Sequence, residues 1–512
     1  MRISVLTFKT DQFDISRREV RRGFFVYPSN GWARRVCTLS ILLVVAGGLT
    51  SCVYDGSNSN SLKSSWVRPD DPQEKLGAKE HPLVLSKYGG EYSDKNAETL
   101  LALIVGRLVS VSQDPARVYK ITVLNSPKIN AFALPGGFLY VTRGLLGLAN
   151  DSSELAAVIA HEMAHVSSNH AILRRERVSS SALGKDVVDS VLGGSRAGKI
   201  ALAANKIRLS DFSKDQELQA DAISIRMIGR AGFDPFSAGR FLETMNKFRQ
   251  LKSKKIGKSG IGNFLSSHPT TPARVLLAKR HARFFGAPGV GERSRERYLE
   301  GISGLLYGDT ADEGFVRGQV FTHAGLGISF RAPKGFTIHN QPHAVTLTGP
   351  SDVATRFDAA VLSPTKSLTR YLKSGWINGL INETIREETV NGLSSATALA
   401  AADGWRFRIM VIRNGGQLYR FITAAPQSNL QIQAISKEIT ASLRILSEKE
   451  IAALSPLRVK IVTAGDRDTL GSLTRRMRGV SSRVKLFKVL NSLGPGAKVR
   501  PGQQYKVITD RS

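Results

Sequence analysis

The run Ala157-Val158-Ile159-Ala160-His161-Glu162-Met163-Ala164-His165-Val166 constrains this chain more than any other stretch. Its Ala-rich, apolar texture reads as helix. At about 3.6 residues per turn, His161 and His165 share one face, one turn apart. Two imidazoles so placed can reach one tetrahedral ion, and Glu162 stands beside the first, where it can accept a proton from a water that the ion activates. Asp151 and Glu154 form a capping-box pattern ahead of it, the right place to start a helix that carries His161.

The only cysteines of the 512 residues are Cys37 and Cys52. Both lie in a leader with Arg17, Arg18, Arg21, Arg22, Arg34 and Arg35, an apolar run over 36–49, and the ending Leu49-Thr50-Ser51-Cys52. That is the layout of a secretory signal. Its ending resembles a bacterial lipobox, which implies acylation of Cys52 and a chain lipid-anchored in the periplasm. Val53 gives no inner-membrane retention Asp, so an outer-membrane destination is favoured. The apolar run is short against the about 20 residues of a spanning helix. With no cysteine downstream, a metal site must use His and carboxylates.

The third ligand is not immediately downstream. A third His in the metzincin spacing would fall on Ala171, and His170 is one residue off. A Glu on a later helix is the alternative. In Ser213-Lys214-Asp215-Gln216-Glu217-Leu218-Gln219-Ala220-Asp221, Glu217 and Asp221 are four apart and share a helix face. Glu217 could bind the ion while Asp221 orients a ligand histidine. Further on, Thr271 can cap a helix that begins at Pro272, with His268 just ahead and Arg274 in its first turn. Either could hydrogen-bond a developing oxyanion. The basic, Gly/Ser-rich stretch 249–260 reads as a loop, with a lid over a cleft as one of its two readings.

Around these residues, Leu100, Leu101, Ile104, Val105 and Leu108 mark a helical stripe. Ile121–Leu124 and Phe138–Thr142 read as two strands, and their connection through Asn130–Leu134 and Pro135-Gly136-Gly137 suggests a hairpin or a tight reversal. Together, Asn130–Gly137, His161-Glu-Met-Ala-His165, Glu217-x-x-x-Asp221 and Ser267-His-Pro-Thr-Thr-Pro-Ala-Arg274 resemble the zinc metallopeptidases that include HtpX, the CAAX prenyl proteases and the periplasmic BepA-like proteins. The resemblance spans roughly 90–285. It implies a mainly helical gluzincin domain with a small active-site sheet. It implies one Zn2+ per chain on His161, His165 and Glu217, with Glu162 as general base. It also implies that Asn130, Ala131, Phe132 and Ala133 hold substrate backbone by strand addition.

The remaining texture gives an α+β multidomain chain: a lipoprotein signal (1–52), a flexible tether (53–90), the zinc metallopeptidase domain (91–300), an α+β accessory domain (315–446) and a basic βααβ unit (456–512). Strands are expected at 326–330, 344–348, 405–412 and 418–423, and helices near 367–379 and 430–446. The last unit resembles a LysM-type module in its Asp468-Thr469-Leu470, Leu490-Asn491 and Pro501-Gly502-Gln503 pieces. That family binds N-acetylglucosamine polymers, which makes peptidoglycan a candidate partner. The formal charge of +30 comes with no nucleic-acid-binding motif, so an anionic membrane or cell-wall surface is the better complement. The expectation is a zinc endopeptidase cleaving misfolded or unassembled envelope polypeptides. The rivals are a chaperone-like or cell-wall-binding lipoprotein with a latent metal site, and a cell-wall amidase.

Overall fold

A computed structural model describes residues 71–174, 212–253, 268–269, 271–377, 379–402 and 404–510. The signal, Cys52, residues 53–70 and residues 254–260 lie outside these, whereas 72–87 of the expected flexible tether form a helix and 249–253 of the expected loop continue one. No helix among the described residues is long and apolar enough to cross a membrane.

Helix α1 (Pro72–Lys87) starts on Asp71, whose side chain accepts from the Gln73 amide. Helix α2 (Lys95–Val109) is capped by Asp94 and buries Leu100, Leu101, Ile104, Val105 and Leu108, the stripe read from the sequence. Strands β1 (Lys120–Leu124), β2 (Ala131–Leu134) and β3 (Phe138–Thr142) form a sheet in the order β1-β3-β2; β3 is parallel to β1 and antiparallel to β2, so the Pro-Gly-Gly hairpin joins β2 to β3 and not β1 to β3. The turn between β2 and β3 requires glycine. Gly136 has φ +81°, and a Cβ there would lie 2.4 Å from the Cα of Glu74 in α1. Alternation splits β3 between two cores. Leu139 and Val141 face the main core, whereas Phe138 and Tyr140 meet α1.

After the short α3 (Arg143–Leu148), helix α4 (Ser152–Ser167) carries both histidines. Every residue from Ser152 to Val166 is buried, as expected of a helix apolar nearly all round. The Asp151 side chain caps it by accepting from the Glu154 amide at 2.8 Å. The reciprocal half of the box is absent: Glu154 Oε2 accepts from the amide of Asn150, one residue earlier. Helices α5 (Lys214–Arg230), α6 (Ser237–Ser253), α7 (Pro272–Ala282) and α8 (Arg295–Gly301) complete this part. Ser213 and Gln216 make a full capping box on α5, and Thr271 caps α7 with Pro272 in its first turn.

Glu154 gives a pH prediction. Burial, reinforced by Asp151, pushes its carboxyl from the ordinary 4.5 up to about 7. The native state therefore keeps a proton that the unfolded chain has released. Stability is full below pH 4.5 and falls, by up to about 3 kcal/mol, as pH rises through 7. The difference between the parent and Glu154→Gln, measured by denaturant unfolding from pH 4 to 8, should follow that slope. A difference independent of pH would mean Glu154 is ionised throughout.

Strand β4 (Leu306–Tyr307) leads into the middle region. There, β5 (Phe315–Arg317), β6 (Val320–His323) and β7 (Ile328–Arg331) form a four-stranded sheet with β15 (Arg444–Ile445). A seven-stranded antiparallel sheet has the order β11-β12-β13-β14-β10-β9-β8. Its members are β8 (Thr337–Gln341), β9 (Ala344–Thr348), β10 (Ala354–Val361), β11 (Leu380–Val390), β12 (Leu393–Ala402), β13 (Trp405–Asn414) and β14 (Gln417–Pro426). Phe321, Phe330, Phe357 and Phe421 fill the core beneath α10 (Ile432–Ala441). The helix expected over 367–379 is only α9 (Leu368–Leu372), and the one expected over 430–446 ends at 441 and gives way to β15. Seven strands of this region, β5, β6, β8, β10, β11, β12 and β15, fall outside the four expected from the sequence.

After α11 (Glu448–Ala452), the last part has the expected order: β16 (Leu457–Thr463), α12 (Leu470–Arg475), α13 (Arg483–Leu490) and β17 (Gln504–Thr509). It does not stand apart. Strand β16 pairs with β4, and Leu457, Val459, Phe487, Leu490 and Ile508 belong to the same buried cluster as Leu155 and Ile159 of α4. The fully buried Lys506 Nζ donates to the carbonyls of Gly147, Leu148 and Ala149 at 3.1, 3.1 and 2.6 Å. It thus satisfies the C-terminal end of α3, just ahead of the α4 cap.

Candidate metal centre and peptide cleft

Helix α4 brings His161 and His165 together, with their Nε2 atoms 3.1 Å apart. Helix α5 lies along α4 and supplies Glu217, whose oxygens stand 3.5 Å from each of these nitrogens. The short link before α7 adds His268. Its Nδ1 is 2.8 Å from Glu217 Oε1 and 3.3 Å from His161 Nε2. Donor atoms of all four residues lie within 4.8 Å of one another, and all four residues are buried. Donors about 2.0–2.1 Å from a tetrahedral ion are separated by about 3.3 Å, so these spacings fit a single small divalent cation. The chemistry of the set, three imidazoles and a carboxylate, fits too.

Three of the four donor residues, His161, Glu217 and His165, are held from behind. His161 Nδ1 lies 3.1 Å from Asp221 Oδ1, which leaves Nε2 to face the cluster. Arg274 holds Asp221 in turn: its Nε and Nη2 donate to Asp221 Oδ2 and Oδ1 at 2.7 and 2.8 Å. Its Nη1 donates to the Pro269 carbonyl and sits 2.7 Å from Glu217 Oε2. The guanidinium, expected as a candidate oxyanion donor, is engaged by these carboxylates. Buried opposite charges of this kind are costly to separate.

Charge follows the same pattern. Burial alone would lower the His161 pKa, but Asp221 and Glu217 push it up to about 9. Burial and the neighbouring His161 and His268 hold His165 far below its ordinary value. Glu217 resists burial: hydrogen bonds from His161 and His268 hold its carboxyl well below the usual range. Glu162 moves the other way, raised by burial. Its Oε1 is buried, accepts no hydrogen bond among the described residues, and lies 3.6 Å from His268 Nε2. A carboxylate tuned upward beside a ligand cluster suits a proton acceptor near neutral pH.

Reading the sequence missed one support. His170 is buried, and its Nδ1 lies 2.9 Å from His165 Nδ1, while its Nε2 meets Gln219 Oε1 of α5 at 3.1 Å. One proton pattern satisfies the chain: His170 donates from Nε2 to Gln219 and accepts at Nδ1 from His165. That fixes His165 with Nε2 free for a metal. The only sequence signal was the His five positions after His165, which spacing rules assigned to no ligand set. Replacing His170 by Ala should weaken metal affinity about 10–100-fold, read by competition with a chelator. An unchanged affinity would make His170 a core residue only.

A cavity of about 340 Å3 opens beside the cluster, lined by Glu162, His165 and His268, by Asn130, Phe132, Ala133 and Leu134 of the β2 segment, and by Tyr88 and Phe212. The order β1-β3-β2 leaves β2 an edge strand with one side unpaired in its sheet. Ala131 itself is turned into the core.

Residues 95–281 match the family model for Peptidase family M48. This segment is an M48 peptidase domain. The M48 domain covers α2 to α7 and so contains every donor in the cluster. Over 209 residues the chain is 27% identical to the mitochondrial metalloendopeptidase OMA1 of Schizosaccharomyces pombe, a match covering 40% of this chain and 59% of that protein. Over 204 residues it is 29% identical to the β-barrel assembly-enhancing protease of Escherichia coli, covering 38% and 40% respectively. The OMA1 of Saccharomyces cerevisiae is 28% identical over 226 residues, covering 42% and 59%. The matches therefore span less than two thirds of these relatives, and the middle sheet region and the C-terminal part lie outside the M48 segment.

Proposed function

We propose that this chain is a zinc-dependent endopeptidase of the bacterial envelope that cleaves extended stretches of misfolded or unassembled polypeptides. One observation carries the reading: two residues of the four-donor cluster, His165 and His268, line one cavity with Glu162, whose Oε1 is unbonded, and with Asn130 and Phe132–Leu134 of the β2 edge. In this reading His161, His165 and Glu217 hold the ion. Such an ion supplies a Lewis acid that polarises a carbonyl and acidifies a water. Substrate backbone adds to the β2 edge along Asn130–Leu134, with side chains entering the pocket beside Phe132 and Phe212. Glu162 takes the proton from the attacking water and returns it to the leaving amine. Asp221, Arg274 and His170 position the ligands. The envelope setting rests on the signal-like leader and on the naming of the E. coli relative. Acylation at Cys52 would tether the protease, and the C-terminal unit would reach peptidoglycan or another surface polymer. The test is cleavage of unfolded casein by the purified chain, with metal content measured in the same sample. Loss of cleavage with a chelator and recovery with zinc support the reading; cleavage indifferent to chelation overturns it.

A second reading is favoured by His268. A catalytic zinc keeps one position open, whereas four protein donors close it. With His268 Nδ1 in the cluster and its Nε2 facing Glu162, the site is capped. His268→Ala should then raise casein cleavage several-fold at unchanged metal content. A fall would instead make His268 the oxyanion donor expected from its sequence position.

A further inference from the structure

Residues 451–512 carry thirteen lysines and arginines against three acidic residues, so about a third of the formal +30 is concentrated in this short stretch. The fold sorts these charges by face. On β16 and β17 side chains alternate. Val459 and Ile508 turn into the core shared with the M48 domain, and Lys506 into the carbonyls of residues 147–149. Lys460, Val462, Val507 and Thr509 line the opposite side. There, with Arg475, Arg476 and Arg478 at the end of α12, they form a cleft of about 610 Å3. Only Arg476 is neutralised, by Asp468 at 2.7 Å. The side chains of Lys460, Arg475 and Arg478 make no ion pair or hydrogen bond among the described residues. Unpaired cations on one concave surface repel one another, and an anion bridging them relieves that repulsion.

We infer that this cleft binds a compact ligand carrying closely spaced phosphate groups. The volume lies in the range of small-ligand sites rather than of a flat patch. Planar guanidinium forks match the oxygens of phosphate, and the half-buried Val462 gives the floor a small apolar surface. Because the other face of the same two strands is locked to the M48 domain, the cleft is held in fixed relation to the peptidase rather than swinging on a linker. The ligand chemistry has two sources, a phosphorylated solute or the headgroups of an anionic lipid.

The experiment titrates the purified chain with pyrophosphate, with glucose 1,6-bisphosphate, and with phosphatidylglycerol or phosphatidylcholine vesicles. It compares three proteins: the parent, Arg475→Ala/Arg478→Ala, and Arg483→Ala/Lys485→Ala. The last pair is exposed, lies outside the cleft and removes the same charge. The cleft variant should lose at least about tenfold in affinity, while the control stays within about twofold of the parent. Binding of the soluble phosphates in that pattern identifies a solute-type site. The same pattern with phosphatidylglycerol vesicles alone identifies a lipid headgroup site. Equal loss in both variants would reduce the effect to general surface charge and overturn the assignment, as would absence of binding to every probe. Thermal unfolding of both variants guards against misfolding, since neither arginine touches the core.

Discussion

Glu162→Gln should leave the metal content at about one per chain and lower casein cleavage by about 10^2–10^4-fold. The amide keeps the volume and the buried setting of Glu162 but cannot accept a proton. None of the donors depends on Glu162: the cluster is made by His161, His165, Glu217 and His268. Metal analysis and cleavage should therefore separate. If metal were lost together with activity, Glu162 would be holding the cluster in shape; if activity survived, another group would be the base. The closed arrangement around His268 adds a refinement. Should the parent itself prove weakly active, the comparison is sharper in a His268→Ala background, where the same substitution has a larger activity to remove.

Lys506→Met should cost about 3 kcal/mol and lower the melting temperature by roughly 5–10 °C. The ammonium is fully buried, and burial holds its pKa well below the ordinary value, yet it satisfies three carbonyls at the end of α3. Methionine fills the space and leaves those carbonyls without a donor. The damage falls next to the Asp151 cap and Glu154, at the start of the helix that bears His161 and His165. Metal affinity should weaken along with stability, although Lys506 is on another element altogether. Removing residues 456–512 entirely should be worse, exposing the apolar surface that Leu457, Val459, Phe487 and Ile508 now cover. A truncated chain that melts as the parent does would show the C-terminal unit to be a passenger.

Much of the site was legible because its rules are local. A four-residue spacing on a helix dictates that His161 faces the same way as His165, and Glu217 the same way as Asp221. Proline after a threonine marks the start of α7. What was not legible depends on which surfaces meet. Nothing in the sequence states that the donors of Arg274 are taken by Asp221 and Glu217, or that His268 comes close enough to be a donor. Likewise, His170 becomes meaningful only when α5 brings Gln219 beside it.

The middle sheet shows a different limit. Strand β12 is Leu-Ser-Ser-Ala-Thr-Ala-Leu-Ala-Ala-Ala, poor in the residues that favour strands, and β11 carries four charged residues, three of them consecutive at 386–388, which break a clean alternation. Pairing with β13 decides the matter for β12. Even so, a local mark was present. Asn391 and Gly392, both with positive φ, form the tight turn between β11 and β12, an Asn-Gly pair between two extended runs. The C-terminal βααβ order was correctly read from pattern. Its burial against α3 and α4 was not, because one lysine among thirteen basic residues looks no different from the others in sequence.

That lysine also sets a clock. Ribosomes deliver residue 147 long before residue 506, and the contact between them spans 359 positions. Until the final strand arrives, the end of α3 lacks its donor and the shared core lacks one wall, so the metal helix begins in an unfinished setting. Pairings so distant in sequence form late and slowly. A metal centre assembled in this order stays incomplete through most of the chain's synthesis, and is finished only when nearly the whole described chain has taken its place.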